Sequence, residues 1–228
     1  MRSTLRRAYQ IVKRTVRPTM DTRFLQNVRG VVHVGANTGQ ERAVYDSFRL
    51  PVLWIEPIPE VFATLQRNIA PYADQRAIQA LVADTDGREV EFHVASNDGA
   101  SSSMLAPSQH EELWPKVKFE RKLRLTTQTL PSLLQQHGID IRRYDALIMD
   151  TQGSELLVLE GAAPLLQQFA FIKTEAADFE SYVGCCRLDE LDAFLDAHGF
   201  EEHSRVRFPN QQPGKAYYEV VYRRRARA

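Results

Sequence analysis

The sequence predicts an α/β fold, a mostly parallel sheet with helices covering both faces. Short, almost wholly apolar runs alternate with amphipathic stretches, the pattern of strands buried on two sides and joined by helices. Five of those runs stop at a glycine or an acid: VVHVG (31–35), VLWIE (52–56), ALVAD (80–84), ALIMD (146–150) and FIKTE (171–175). With 228 residues, 43% hydrophobic and 25% charged, the chain has the length and composition of one well-cored soluble domain.

The elements follow in order. Residues 3–16, STLRRAYQIVKRTV, set Leu5, Tyr9, Val12 and Val16 at helical spacing among arginines and lysines. A basic helical extension is therefore expected over 1–29, ahead of a domain spanning 30–224. Residues 31–35 form a first strand and 40–48 a helix. A second strand (52–56) precedes a helix at 59–69, where Pro59 suits the first turn. A third strand runs 76–84, Asp86-Gly87 marks a turn, and the alternation of REVEFHVAS predicts another strand over 88–96. Residues 97–117 lose periodicity, which suits a functional loop. An extended stretch (124–130) leads to a short helix (131–138) closed by glycine. After the strand at 145–150, residues 154–169 are helical, with Gly161 and Pro164 marking a break. The strand at 169–175, a helix at 187–199 and a terminal strand pair (200–208, 216–224) complete the pattern.

Composition removes several functional classes. No stretch approaches the roughly 20 apolar residues of a membrane helix, and the basic N-terminus has no apolar core of a secretory signal. Cys185 and Cys186 are adjacent and resemble neither a disulfide framework nor a zinc site, so a cytoplasmic setting is expected. The net charge of zero is unevenly spread. Residues 1–29 hold eight basic side chains against Asp21, and the tail RRRARA adds four arginines, which leaves seventeen basic and twenty-eight acidic residues in 30–222. An acidic body with basic ends does not fit a nucleic-acid binder. It suits a cationic ligand, and the basic N-terminal helix either contacts an anionic membrane surface or packs on the core or a second copy.

The strand ends carry the chemistry. In open parallel sheets ligands bind in the crevice outside the carboxyl ends of the strands. Gly35 and Gly39 permit a tight turn and close backbone approach to a ligand, but GANTG lacks the G-x-G-x-x-G of a dinucleotide site. Glu56 lies 21 residues beyond Gly35, the offset at which an acid meets ribose hydroxyls. Asp84 ends the third strand, where an adenine edge would be met, or merely opens the turn after it. Asp150 ends the most apolar strand, where an unpartnered carboxylate is costly without a task. Glu175 should lie beside it, so that the two acids either split their pKa values and one acts as base, or hold a divalent metal. Asp150-Thr151-Gln152 offers no adjacent acid, which favours the metal-free reading. Glu155, in a first helical turn, is expected to complement the helix dipole. His33 is expected to be a satisfied core histidine, and His110, in the long loop, is a candidate for reaching an acceptor. Four strand-end acids beside a glycine turn point to an adenosine-bearing ligand with a positive centre, S-adenosylmethionine more than a dinucleotide. A nicotinamide-dependent oxidoreductase and a non-catalytic binding protein are the alternatives. The missing glycine fingerprint weighs against the first, and the retained turn and acids against the second.

With these residues in place, the chain resembles the FkbM-type family of S-adenosylmethionine-dependent methyltransferases over approximately 30–205. VVHVGANTGQE is similar to the family's cofactor turn, with Gly35, Asn37 and Gly39 at its core. WIEPIPEVFATLQRN carries Glu56 in the ribose block, ALVADTDG is similar to the adenine-side block, and ASSSML, with Ser102, to the serine-rich segment after it. DALIMDTQGSELLVLEGA, with its D-x-x-G-x-E core, is the most specific stretch, and IKTEAADFESYVG, with Tyr182, follows. His33 departs from the family, which usually has an acid there. The resemblance implies a class I methyltransferase, Rossmann-like fold with a seven-stranded sheet and an antiparallel C-terminal hairpin. It also implies methyl transfer to oxygen, often a sugar hydroxyl of a glycan, glycolipid or glycosylated natural product, with Ser102, His110 and Tyr182 near that acceptor.

Overall fold

The computed structural model describes residues 21–109, 114–209 and 214–226. Its strands are β1 (Val31–Val34), β2 (Val52–Ile55), β3 (Gln75–Ile78), β4 (Leu81–Val82), β5 (Glu89–Ala95), β6 (Phe119–Gln128), β7 (Ala146–Met149), β8 (Phe171–Ala177), β9 (Phe200–Arg207) and β10 (Tyr217–Arg224). The helices are α1 (Arg42–Ser47), α2 (Pro59–Ile69), α3 (Leu130–Gln136), α4 (Glu155–Gly161) and α5 (Leu188–Ala197), with 3-10 turns at Arg23–Asn27, Ile141–Arg143 and Ala163–Gln168. The helix expected at 3–16 lies outside the described residues.

Seven strands form one sheet in the order β3-β2-β1-β7-β8-β10-β9. β3, β2, β1, β7 and β8 run parallel, and β10 enters antiparallel between β8 and β9. This is the class I methyltransferase arrangement, hairpin included. The strand order reverses at β1, where successive connections leave toward opposite edges, and such a switch point opens a crevice at the carboxyl ends.

The apolar strands bury both faces, as their lack of alternation requires. Val32, Val34, Leu53, Ile55, Leu147, Met149 and Ile172 pack under Leu133, Leu159 and Leu191 on one side. Val31, Val52, Trp54, Ile148 and Phe171 pack with Phe24, Tyr45 and Leu65 on the other. Gly161 ends α4 where a Cβ would stand 2.1 Å from the Ala83 carbonyl oxygen, so the close docking of that helix requires glycine.

One expected strand does not exist as a unit. Residues 76–84 divide into β3, in the large sheet, and β4, which pairs with β6 in a second, three-stranded sheet of order β4-β6-β5. β6 also begins five residues earlier than its expected start, because its first half is held by antiparallel pairing to β5. The stretch 97–117 folds back on the domain through a bridge from Ser103 to His93 and another from Pro107 to Tyr182.

Candidate functional site

A cleft of about 230 Å³ opens at the carboxyl ends of β1, β2, β7 and β8. At one end it is walled by Leu81, Val82, Phe92 and Ser102, at its middle by Gly35, Asn37, Glu56 and Ile58, and at its inner end by Asp150, Lys173, Glu175 and Glu219. The turn after β1 shapes the middle. Gly35 has φ +78°, and a Cβ there would sit 2.0 Å from the Asp150 carbonyl oxygen. Asn37 also adopts the left-handed region, φ 44°. Its side chain holds the turn by donating to the Asp98 carbonyl and accepting from the Thr38 N–H and the Gln40 amide.

Glu56 is buried, and its two oxygens accept the backbone N–H groups of Asn37 (2.8 Å) and Ile58 (3.0 Å). Burial pushes its carboxyl up to about 7, helped by the nearby Asp150 charge and opposed by the two N–H donors. Each oxygen retains acceptor capacity toward the cleft. Asp150 leaves β7 beside Gly35, with Oδ1 accepting the Gln152 amide at 2.6 Å. Glu175 sits one position beyond the Met149–Thr174 pair that links β7 to β8, so both acids emerge at neighbouring strand ends.

The turn Asp150–Glu155 is fixed from below. Glu155 is 3% exposed, and its carboxylate accepts the Thr151 N–H and hydroxyl and the Gly153 N–H, with burial raising its carboxyl to about 7. This replaces the expected helix-dipole role: Glu155 is a buried clamp on the loop that presents Asp150. Gln152, at φ 54°, links Asp150 to Tyr182, whose hydroxyl donates to Gln152 Oε1 and the Ser101 carbonyl. Ser103 donates to the Gln152 carbonyl at 2.7 Å, tying the serine-rich segment to the same turn.

Several expected positions lie elsewhere. Asp84 is absent from the cleft wall: it pairs with Arg88 at 2.6 Å and accepts the Thr85 hydroxyl, because the chain bends into β4 before reaching it. Leu81 and Val82 occupy the wall instead. Gly39 supports the turn from behind, against Leu65, rather than facing the cleft. Tyr182 is fully buried and acts as a brace between segments, not as a surface for an acceptor. Ser102 lines the cleft, but its hydroxyl accepts the Ala95 N–H. His110 lies outside the described residues. His33 is a buried core histidine, as expected: its Nδ1 meets the Tyr45 hydroxyl at 3.0 Å and its ring stacks on Trp54 at 4.9 Å. Burial, and then the Lys173 charge, depress it to about 3.

Sequence reasoning missed Gln152, Lys173 and Glu219. A charged residue inside an apolar strand was the available signal, in FIKTE and in YYEVVY, since a buried ion requires a partner. Among the described residues no group of three or more His, Cys, Asp or Glu side chains could hold a metal ion.

A model of the methyltransferase FkbM domain matches residues 33–202. No curated protein matches the chain. Among solved structures, Sp1610 of Streptococcus pneumoniae in complex with S-adenosyl-L-methionine has 10% identity and a TM-score of 0.49, over 88% of this chain and 70% of that one. TrmK of M. capricolum, in complex with S-adenosyl-homocysteine, has 8% identity and a TM-score of 0.47, over 90% and 69%.

Proposed function

The chain belongs to the methyltransferase FkbM-domain family, and on that premise we propose that it transfers a methyl group from S-adenosylmethionine to a hydroxyl, that of a sugar in a glycan, glycolipid or glycosylated natural product. The observation that carries this reading is the ordering of the cleft: apolar wall, then Glu56, then the Gly35 turn, then Asp150 and Glu175. A purine fits against Leu81, Val82 and Phe92, and ribose hydroxyls have the unspent lone pairs of Glu56 to donate to. The fit is supported by Gly35, where no side chain larger than hydrogen leaves room for the turn against Asp150. When bound, S-adenosylmethionine supplies an electrophilic methyl on a sulfonium.

The residues of this chain then have three tasks. The turn around Gly35 and Asn37, with Glu56, holds one reactant. Asp150, its loop held by Glu155 and Gln152, orients the acceptor hydroxyl and takes its proton, which makes a poor nucleophile competent. Glu175 sets the charge beside it. Positioning supplies much of the acceleration, since transfer of a methyl from a cation needs little covalent help. The resemblance supplies the sugar acceptor, and a basic N-terminus would bring the domain to an anionic glycolipid surface.

Incubation with labelled S-adenosylmethionine and a cell glycan or glycolipid extract tests the reading, with label expected in a saccharide-bearing product. Asp150→Asn keeps the shape and removes the basic oxygen, so kcat should fall steeply with KM little changed. Activity should survive a chelator. Full kcat in both Asp150→Asn and Glu175→Gln would move the base to another segment.

A further inference from the structure

Lys173 and Glu219 form an ion pair at the inner end of the cleft, Nζ to Oε2 2.9 Å, each residue 5% exposed. Glu219 spends its other oxygen on the Asp21 N–H at 2.9 Å. Among the described residues Glu219 is the one partner of the Lys173 ammonium, which has three donors. A buried pair of this kind contributes little to stability compared with apolar side chains of similar volume. Its position in the lining therefore asks for another explanation.

Register supplies one. His33, Ile148 and Lys173 are successive partners across β1, β7 and β8, and Gly35, Asp150 and Glu175 lie two residues further on, facing the same side. Glu219 pairs with Glu175 across β10. The ion pair thus lies about 7 Å below the row that a ligand crosses after leaving Glu56, two residues at a strand's rise. His33 fills the row's first position with a ring already engaged by Tyr45 and Trp54. It offers the cleft no charge, and the charges come from β8 and β10 instead.

Resting on the S-adenosylmethionine reading of the cleft, we infer that Lys173 and Glu219 receive the zwitterionic amino-acid end of that cofactor, Lys173 pairing with its carboxylate and Glu219 with its ammonium. One cation and one anion in the wall match one anion and one cation on the ligand. The departure at His33 then has a compensation in this chain's own sequence.

Calorimetry on the full chain tests this with S-adenosylhomocysteine, its decarboxylated analogue and 5′-methylthioadenosine, which lacks the amino-acid end. The native protein should prefer S-adenosylhomocysteine over both by more than about tenfold, the scale of one charge-assisted hydrogen bond. The double variant Lys173→Met, Glu219→Gln removes both charges together, avoiding a lone buried ion. It should lose that preference while binding 5′-methylthioadenosine as before. Glu219→Gln alone, which keeps an acceptor for Lys173, should weaken S-adenosylhomocysteine but not its deaminated analogue, and serves if the double variant does not fold. Equal affinity of the native protein for S-adenosylhomocysteine and the decarboxylated compound would overturn the inference, as would an undiminished preference in the variants. Absence of any S-adenosylhomocysteine binding by the native protein would overturn the cofactor reading beneath it.

Discussion

A carboxyl group held at about 7 by burial, yet aimed into a ligand cleft, makes binding a titration. Glu56 enters the folded protein with its pKa raised from 4.5. It therefore favours the native state below about 4.5, and that contribution is lost as pH rises through about 7. Ribose hydroxyls donating to Glu56 favour its charged form and pull the pKa back down, so binding releases a proton below neutrality. Affinity for S-adenosylhomocysteine should accordingly rise from pH 5.5 to about 7 and level off above it. Glu56→Ala should flatten that dependence and weaken binding by about 1–3 kcal/mol, the scale of lost hydrogen bonds to a charged group. An affinity in the native protein that does not change between pH 5.5 and 8 would remove Glu56 from contact with the ligand. His33 runs in the opposite sense: its depressed value supports the fold above about 6.5 and that support fades as pH falls toward 3.

The loop from Asp150 to Glu155 is an element without regular structure, and its rigidity comes from side chains distant in sequence. Tyr182→Phe deletes the hydroxyl shared by Gln152 and the Ser101 carbonyl. It should cost about 1–3 kcal/mol, because it leaves buried acceptors unsatisfied. The loss should appear as a lowered melting temperature and a reduced kcat, with cofactor affinity near native; an unchanged melting temperature would mean that the brace is dispensable. This element also marks the limit of what the sequence disclosed. The positions of Gly35, Glu56, Asp150 and Glu175 were legible because each ends an apolar run, and a run's end is a local signal. The split of 76–84 was not legible: Gln79-Ala80 has no breaker, and only pairing to β6, more than forty residues on, draws β4 out of the large sheet. The brace from Tyr182 to Gln152 and the pair Lys173–Glu219 are likewise contacts between segments, set by topology rather than by any local pattern. For the same reason Asp84, placed by its run at a strand end, turned out to face Arg88.

Charge is distributed across the molecule in a way that only the fold makes interpretable. The described chain begins at Asp21, whose N–H is bound by Glu219 and whose carboxylate accepts the Ser204 hydroxyl and pairs with Arg23. Residues 1–20, with six basic side chains and no acid, therefore join the domain beside the cleft's inner end rather than at a remote edge. Among the described residues no helix is long and apolar enough to cross a membrane, so any membrane contact by that part of the chain has to be made at a surface. A basic segment gains about 1 kcal/mol per Lys or Arg near an anionic leaflet, screened within a Debye length. If that contact delivers the enzyme to a glycolipid acceptor, the full chain should bind vesicles containing phosphatidylserine, and binding should weaken steeply with added salt. Deleting residues 1–20 should abolish vesicle binding while leaving S-adenosylhomocysteine affinity intact, because the Glu56 and Gly35 contacts stay in place. Vesicle binding that survives the deletion would assign the surface to the domain itself. Loss of solubility, or of a dimer, on truncation would show instead that Leu5, Tyr9, Val12 and Val16 pack against protein.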